Sequence, residues 1–393
     1  MDKILSGVKK ILFIISNLET GGVSKALTSL INVMDRKAYD VSLMIISPRG
    51  AFMTLLPKDL RLITNPIWSD LTSGISGITN LLKRGHPVLA IGHLLRLVTS
   101  TFNKAWAGRL ITKLSPALEE EFDTVVDFNG QQQLYYMVDK IKAKKKLTFF
   151  HSDYKKWPYY KSADKKYFPK VDRIFTVSEE CVQSLKEVFP EVKVKISLME
   201  NIVSPKVLFP MSDEVITEMD DSISSILTIG HVCENKGSHW AIEAASILKS
   251  KGITFKWYFL GSCDNVAKYE KLARENGVDD LVMFLGIRTN PYPYIRKASI
   301  ICHPSQFEGK SIALDEAKLF SKPVVVTNFS TVSDQFRHEE NALICKMTPQ
   351  SIAENIERLL KDKALQKKFE LTLKKELRDN SDQIYKLYDI FDA

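Results

Sequence analysis

The residues best suited to chemistry lie between His303 and Ala317. The stretch reads His303-Pro304-Ser305-Gln306-Phe307-Glu308-Gly309-Lys310-Ser311 and continues through Asp315 to Glu316 and Ala317. The apolar run Ile300–His303 before it predicts a buried strand, and a helix is expected from about Ser311. Glu308 then falls in the loop at the strand's end, and Glu316 about a turn and a half into the helix. Gly309 lets backbone approach a ligand closely, and the helix start offers N–H groups to an anion. Two carboxylates bracketing an anion site suit a ligand with hydroxyls at both ends and phosphates between, as in a sugar nucleotide. Taken alone, the pair also fits two solvated charges at a helix end.

A second chemical signal is electrostatic. From Leu71 to Leu118 the chain holds Lys83, Arg84, Arg96, Lys104, Arg109 and Lys113 and no Asp or Glu. Aliphatic residues such as Leu81, Leu82, Val88, Ile91, Leu94 and Val98 lie among them. A basic amphipathic stretch of this kind suits the headgroup region of an anionic membrane, or else a helix pair packed on its own domain with its basic residues outward. Basic residues set among aliphatics rather than stacking aromatics point away from nucleic acid. Lys142-Ala143-Lys144-Lys145-Lys146 reads as a solvated turn that adds to the basic side.

The composition supplies the frame for both signals. The chain has 393 residues, 45% hydrophobic and 26% charged, which suits a globular protein of two domains. Net charge is +8 and unevenly spread: residues 1–210 hold 31 Lys and Arg against 20 Asp and Glu, and residues 211–393 hold 24 against 27. An anionic partner for the first half, or a solvated basic face, would account for this. Cys181, Cys233, Cys263, Cys302 and Cys345 form no C-x-x-C pair and read as reduced thiols in a cytoplasmic protein. No Cys or His pair has metal-ligand spacing, so no metal site is expected. Lys9-Lys10 before Ile11–Ile15 resembles the opening of a signal peptide, but the apolar run is short and Ser16-Asn17 follows it, so a buried first strand is expected. No stretch approaches the ~20 apolar residues that span a bilayer.

The elements that would position these groups alternate between strand and helix. Ile11–Ser16 is a strand, Glu19-Thr20-Gly21-Gly22 a turn, and Val23, Ala26, Leu27, Leu30, Ile31 and Met34 a helical stripe, followed by the strand Val41–Ser47. Further strands are expected at Thr124–Phe128, Leu147–Phe150 and Ile174–Val177, with a helix from Ser178-Glu179-Glu180. A second series holds strands at Ser225–Ile229, Phe255–Leu260, Val282–Leu285, Ile300–His303 and Val324–Thr327, with helices at Ser238–Ser250 and Asn265–Asn276. The expected class is α/β, with residues 1–210 as an N-terminal domain, 211–224 as a linker and 225–393 as a C-terminal domain whose last helix packs back on the first.

Several ordered motifs together resemble the family 4 retaining glycosyltransferases. They are Gly21-Gly22 with Lys25, Val177-Ser178-Glu179, Gly230…Lys236-Gly237, Phe284-Leu285-Gly286, and Pro304-Ser305…Glu308…Glu316-Ala317…Ser321-Lys322-Pro323-Val324-Val325. The resemblance spans nearly the whole chain apart from parts of 64–118. It implies the GT-B architecture, two facing Rossmann-like domains with a cleft between them. It implies transfer of a hexose or N-acetylhexosamine from a nucleotide diphosphate sugar, UDP-linked by preference, to a glycan acceptor, lipid-linked and bound by the first domain, in surface polysaccharide synthesis. The protein is then expected to be peripheral on the inner face of the cytoplasmic membrane.

The resemblance also implies residue roles. Glu316 would hold the ribose hydroxyls, Glu308 hydroxyls of the transferred sugar, and Lys236 the diphosphate, assisted by the amides of Gly21, Gly22, Gly309, Lys310 and Ser311. His151, in Phe149-Phe150-His151-Ser152-Asp153, matches a family His near the sugar and β-phosphate, and could instead be a structural His at a strand end. No cofactor is implied, and without a D-x-D motif no divalent ion either. The implied attack is front-face, with the leaving phosphate oxygen taking the acceptor proton. One departure stands out: the family's Arg after the first glycine of the Gly…Lys-Gly loop is His231 here, which lacks the bidentate fork. Either diphosphate binding is weaker here, or another cation such as Arg288 compensates. A sugar-nucleotide epimerase on the same fold and a non-catalytic glycan-binding subunit are the alternatives.

Overall fold

The computed structural model describes residues 7–393 apart from Thr20 and Asp221. It divides into two compact units, one formed by Met1–Glu19, Val23–Asn201 and Gln383–Ala393, the other by Thr20–Gly22 and Ile202–Asp382. Residues 211–224, expected as a linker, therefore lie within the second unit, whose main segment starts at Ile202. The Pro205–Met211 helix is already part of that unit, with Leu208 in its hydrophobic core.

The first unit is built on seven parallel strands: β1 Lys9–Ile15, β2 Tyr39–Ile45, β3 Arg61–Ile63, β4 Leu118–Asp127, β5 Ile141–Phe150, β6 Arg173–Thr176 and β7 Ile196–Leu198. Their order is β3-β2-β1-β4-β5-β6-β7. β1 is apolar and buried from Ile11 to Ile15, as a central parallel strand covered on both faces must be. The helix expected after Ser178 runs over Glu179–Val188, and the Ser178 hydroxyl caps it by accepting from the Cys181 amide at 3.2 Å.

The lysine run at 142–146 is part of β5 and not a turn. It lies beside the acidic start of β4, where Lys144 meets Asp123 at 2.6 Å and Lys142 meets Glu121 at 3.3 Å. The run is thus largely answered by its neighbouring strand.

The second unit holds six parallel strands: β8 Ser225–Ile229, β9 Lys256–Leu260, β10 Val282–Gly286, β11 Ile300–His303, β12 Val324–Thr327 and β13 Leu343–Cys345. Their order is β10-β9-β8-β11-β12-β13. The fold class is α/β with two doubly wound parallel sheets, as the alternation of strand and helix patterns predicts. Each sheet reverses its strand order once, between β1 and β4 and between β8 and β11. Open α/β sheets bind ligands at the carboxyl ends of the strands where the order reverses.

Candidate functional site

The reversal point of the second sheet brings two loops together. One leaves β8 through Gly230 and runs to Gly237, and the other leaves β11 and runs from Pro304 to Ser311. The Gln306 amide donates to Asn235 O at 2.9 Å. Gly237 has φ +66°, and a Cβ there would stand 2.0 Å from Pro304 O. Only glycine combines that left-handed backbone with so close an approach. The second loop is tied further by the Thr327 hydroxyl, which donates to Ser305 O at 2.5 Å, and by the Thr331 hydroxyl, which donates to Glu308 O at 3.1 Å.

This pairing sets Lys236 Nζ 2.6 Å from Glu308 Oε1, and His303 Nε2 lies 2.8 Å from the same oxygen. Burial acts to raise the Glu308 carboxyl, but Lys236 and His303 outweigh it and hold it at about 2. Glu308 is therefore an anion at neutral pH, with a resident cation against it.

Glu316 follows on the Ile312–Leu319 helix and is 1% exposed. Tyr292 donates its hydroxyl to Glu316 Oε1 at 3.1 Å. Burial, together with that carboxylate, pushes the Tyr292 phenol well above its ordinary range, so it stays a donor. Tyr292 was not singled out from sequence. Its place between Pro291 and Pro293, six residues after Gly286, carries no local signal of a partner 24 residues on.

Two expected roles look different in the structure. The Ser311 amide, expected to face a phosphate, donates to Gln335 Oε1 at 3.0 Å, and Gln335 Nε2 returns a bond to Ser311 O at 2.8 Å. Arg288, considered as a substitute cation for the diphosphate, is held by Glu218 at 3.3 Å and donates to the Tyr294 hydroxyl at 3.1 Å. His231 is flanked by Ser262 Oγ at 2.7 Å from Nδ1 and Asp264 Oδ2 at 3.2 Å from Nε2. Its ring is thus fixed by two side chains of the segment after β9.

Gly21 comes after β1 in the chain with φ +120°, a conformation that favours glycine, and the helix Gly22–Val33 begins at the next residue. His151 follows β5 and lies against the Phe128 and Phe149 rings, with centroids 4.8 and 5.6 Å away. Its Nε2 is shielded from solvent and has no partner among the described residues. Burial depresses its pKa to about 4, against a smaller opposing effect from a hydrogen bond to the Phe128 backbone. The imidazole is neutral at pH 7.

Comparison with known proteins bears on the family and the fold. Residues 217–376 match the family described as "Glycosyl transferases group 1". An uncharacterized glycosyltransferase of Haemophilus influenzae is 24% identical over 365 residues, 90% of this chain and 89% of the relative. A Campylobacter jejuni N-acetylgalactosamine-N,N'-diacetylbacillosaminyl-diphospho-undecaprenol 4-alpha-N-acetylgalactosaminyltransferase is 28% identical over 206 residues, 51% of this chain and 54% of the relative. Among solved structures, Anabaena Alr3699/HepE in complex with UDP and glucose superposes with a TM-score of 0.70 at 13% identity, over 98% of this chain and 100% of that one. WaaG, a glycosyltransferase involved in lipopolysaccharide biosynthesis, gives 0.69 at 15% identity, over 97% and 99%. Residues 217–376 thus match a glycosyltransferase family model, and the chain shares its two-sheet fold with solved glycosyltransferases.

Proposed function

We propose that the chain is a retaining glycosyltransferase that moves a hexose or N-acetylhexosamine from a UDP-linked donor to a lipid-linked glycan in surface polysaccharide synthesis. The observation that carries this reading is the Lys236–Glu308 pair at the reversal point of the second sheet, with buried Glu316 one helix further on. The Anabaena neighbour was solved with UDP and with UDP-glucose, and the Campylobacter relative is named for a diphospho-undecaprenol acceptor, which supports the choice of substrates.

In the proposed reaction an acceptor hydroxyl oxygen bonds to the anomeric carbon while the bond from that carbon to the β-phosphate oxygen breaks. The acceptor's proton passes to the departing phosphate oxygen, and a nucleoside diphosphate leaves. Charge grows on that diphosphate in the transition state, and Lys236 is the fixed cation assigned to it. Glu308 takes a hydroxyl of the transferred sugar, and Glu316 the ribose. Neutral His151 is assigned a hydrogen bond to a sugar hydroxyl. Because Lys236 supplies the positive charge, turnover is proposed to be metal-independent. Among the described residues no helix is long and apolar enough to cross a membrane, and the proposed location is the surface of an anionic membrane.

The test is a thermal-shift panel of nucleotide sugars followed by product analysis. A ligand that binds only the native state raises the unfolding midpoint. A UDP-sugar should do so, and the product's anomeric configuration should match the donor's. Inverted product, or no stabilisation by any nucleotide sugar, overturns the reading.

A further inference from the structure

The Pro87–Phe102 helix of the first unit is apolar on two opposite sides. Ala90 and His93 are buried against the body, with Ala90 in a small core shared with Leu71, Leu81 and Ile111. Val88, Ile91, Leu95, Val98 and Phe102, at spacings of three and four, form one row on the other side. Val88 is 77%, Ile91 70% and Phe102 86% exposed. A helical row of exposed aliphatic residues ending in an exposed Phe is costly in water and favourable in an apolar layer. The surrounding segment, Leu71 to Leu118, holds six Lys and Arg and no Asp or Glu, so the layer it suits carries negative charge.

On the flank of the same helix, about a third of a turn from that row, is Arg96. Its Nη2 donates to Ser73 O at 3.0 Å and lies 3.4 Å from His93 Nδ1. His93 Nε2 stands 3.1 Å from Gly74 O and must donate to it, which leaves Nδ1 as an uncharged acceptor. Arg96 Nε is buried and has no partner among the described residues. Burial lowers the guanidinium pKa, with the Tyr160 phenol opposing it, and among the described residues no carboxylate stands against it. Nearby Arg84, by contrast, is paired with Asp70 at 3.0 Å. A half-buried guanidinium held only by neutral groups lacks the counter-charge that ordinarily accompanies it, and its planar fork matches a phosphate.

We propose that the Pro87–Phe102 helix binds a lipid-borne diphosphate, the outward row entering the apolar layer and Arg96 holding a phosphate. This gives the acceptor's lipid anchor a place in the first unit, and it rests on the proposed transfer to a lipid-linked acceptor.

The test is flotation of the full-length protein with three kinds of vesicle: phosphatidylcholine alone, phosphatidylcholine carrying a little polyprenyl diphosphate, and phosphatidylcholine with phosphatidylglycerol. Polyprenyl diphosphate should tighten binding by about tenfold or more, and excess inorganic diphosphate should reverse the gain. Arg96→Gln should abolish that gain, and Arg96→Lys should restore part of it. Replacing Val88, Ile91 and Phe102 together with Ser should remove binding to every vesicle while the far-ultraviolet circular dichroism stays as in the wild type. Equal wild-type binding with and without polyprenyl diphosphate overturns the proposal, as does an undiminished gain in Arg96→Gln. An equal gain from phosphatidylglycerol, or self-association through the row without vesicle binding, overturns it too. Nucleotide-sugar thermal shifts on the same preparations separate the two failures. If they persist while the lipid effects are absent, the lipid site alone is wrong; if they are absent, the transferase reading is wrong.

Discussion

Lys236 and Glu308 begin the proposed reaction as an ion pair, so a donor diphosphate has to share the ammonium with a carboxylate already in place. Removing the cation takes away a charge aimed at the leaving group, and Lys236→Ala should lower kcat by about a hundredfold or more, measured under donor saturation. The same pair has a signature in stability. Glu308 sits at about 2 in the folded protein against an ordinary 4.5, so its contribution is complete above pH 4.5 and disappears as pH falls towards 2. Chemical unfolding of wild type and Glu308→Gln across that window should show the wild type's advantage shrinking steadily. A constant difference would mean that the carboxylate is not charged against Lys236. His151 runs the other way in chemistry but not in sign. Its pKa drops from 6.5 to about 4, so the unfolded chain takes up the proton first and stability falls as pH falls from 6.5 to 4. Proton NMR of the His151 ring should give a midpoint near 4, and the pH profile of turnover from 6 to 8 should keep its shape in His151→Gln.

At the scale of elements, the site depends on two loops that approach closely. Gly237→Ala puts a methyl group 2.0 Å from Pro304 O and forces a side chain onto a positive φ. The loops have to separate, and Lys236 moves with them. The expected result is a loss of more than ~1 kcal/mol of stability and a larger loss of donor affinity, read by unfolding and calorimetry. Wild-type affinity in this variant would show that the loop contact does not position Lys236. The long central strands were legible because parallel strands buried on both faces are continuously apolar, as in Ile11–Ile15 and Val324–Val326. The three-residue edge strands β3, β7 and β13 were not, since Arg61-Leu62-Ile63 has too few residues for any periodicity. The 142–146 lysines misled because composition suggested solvent, while the acidic strand that pairs with them lies some twenty residues earlier.

At the scale of the molecule, the chain ends where it began. The Tyr385–Asp392 helix belongs to the first unit: Tyr388 stacks on Tyr39 with centroids 4.9 Å apart, the Tyr39 hydroxyl donates to Asp392 at 2.9 Å, and Lys9 Nζ donates to Phe391 O at 2.7 Å. Phe391 is 2% exposed. Truncation after Ile384 should therefore destabilise the first unit and leave the second protected, which hydrogen exchange resolved by segment will report. Metal dependence is likewise a property of the whole enzyme. Because Lys236 is the assigned counter-charge, turnover should survive EDTA, and activity lost to the chelator and restored by Mg²⁺ or Mn²⁺ would refute that assignment.

The sequence alone determined the α/β class, the two series of strands, and the segment 303–317 with its two carboxylates, because these depend on local periodicity and on residue order. Only the tertiary structure decided which groups meet. Lys236 finds Glu308 across 72 residues because β8 and β11 are neighbours at a reversal of strand order, and Gln335 takes the Ser311 amide from 24 residues away. Pattern reports which face of an element is apolar but not what lies opposite it. For that reason the row Val88 to Phe102, one of several aliphatic sets in the sequence, stands out as exposed only once the fold has buried the others.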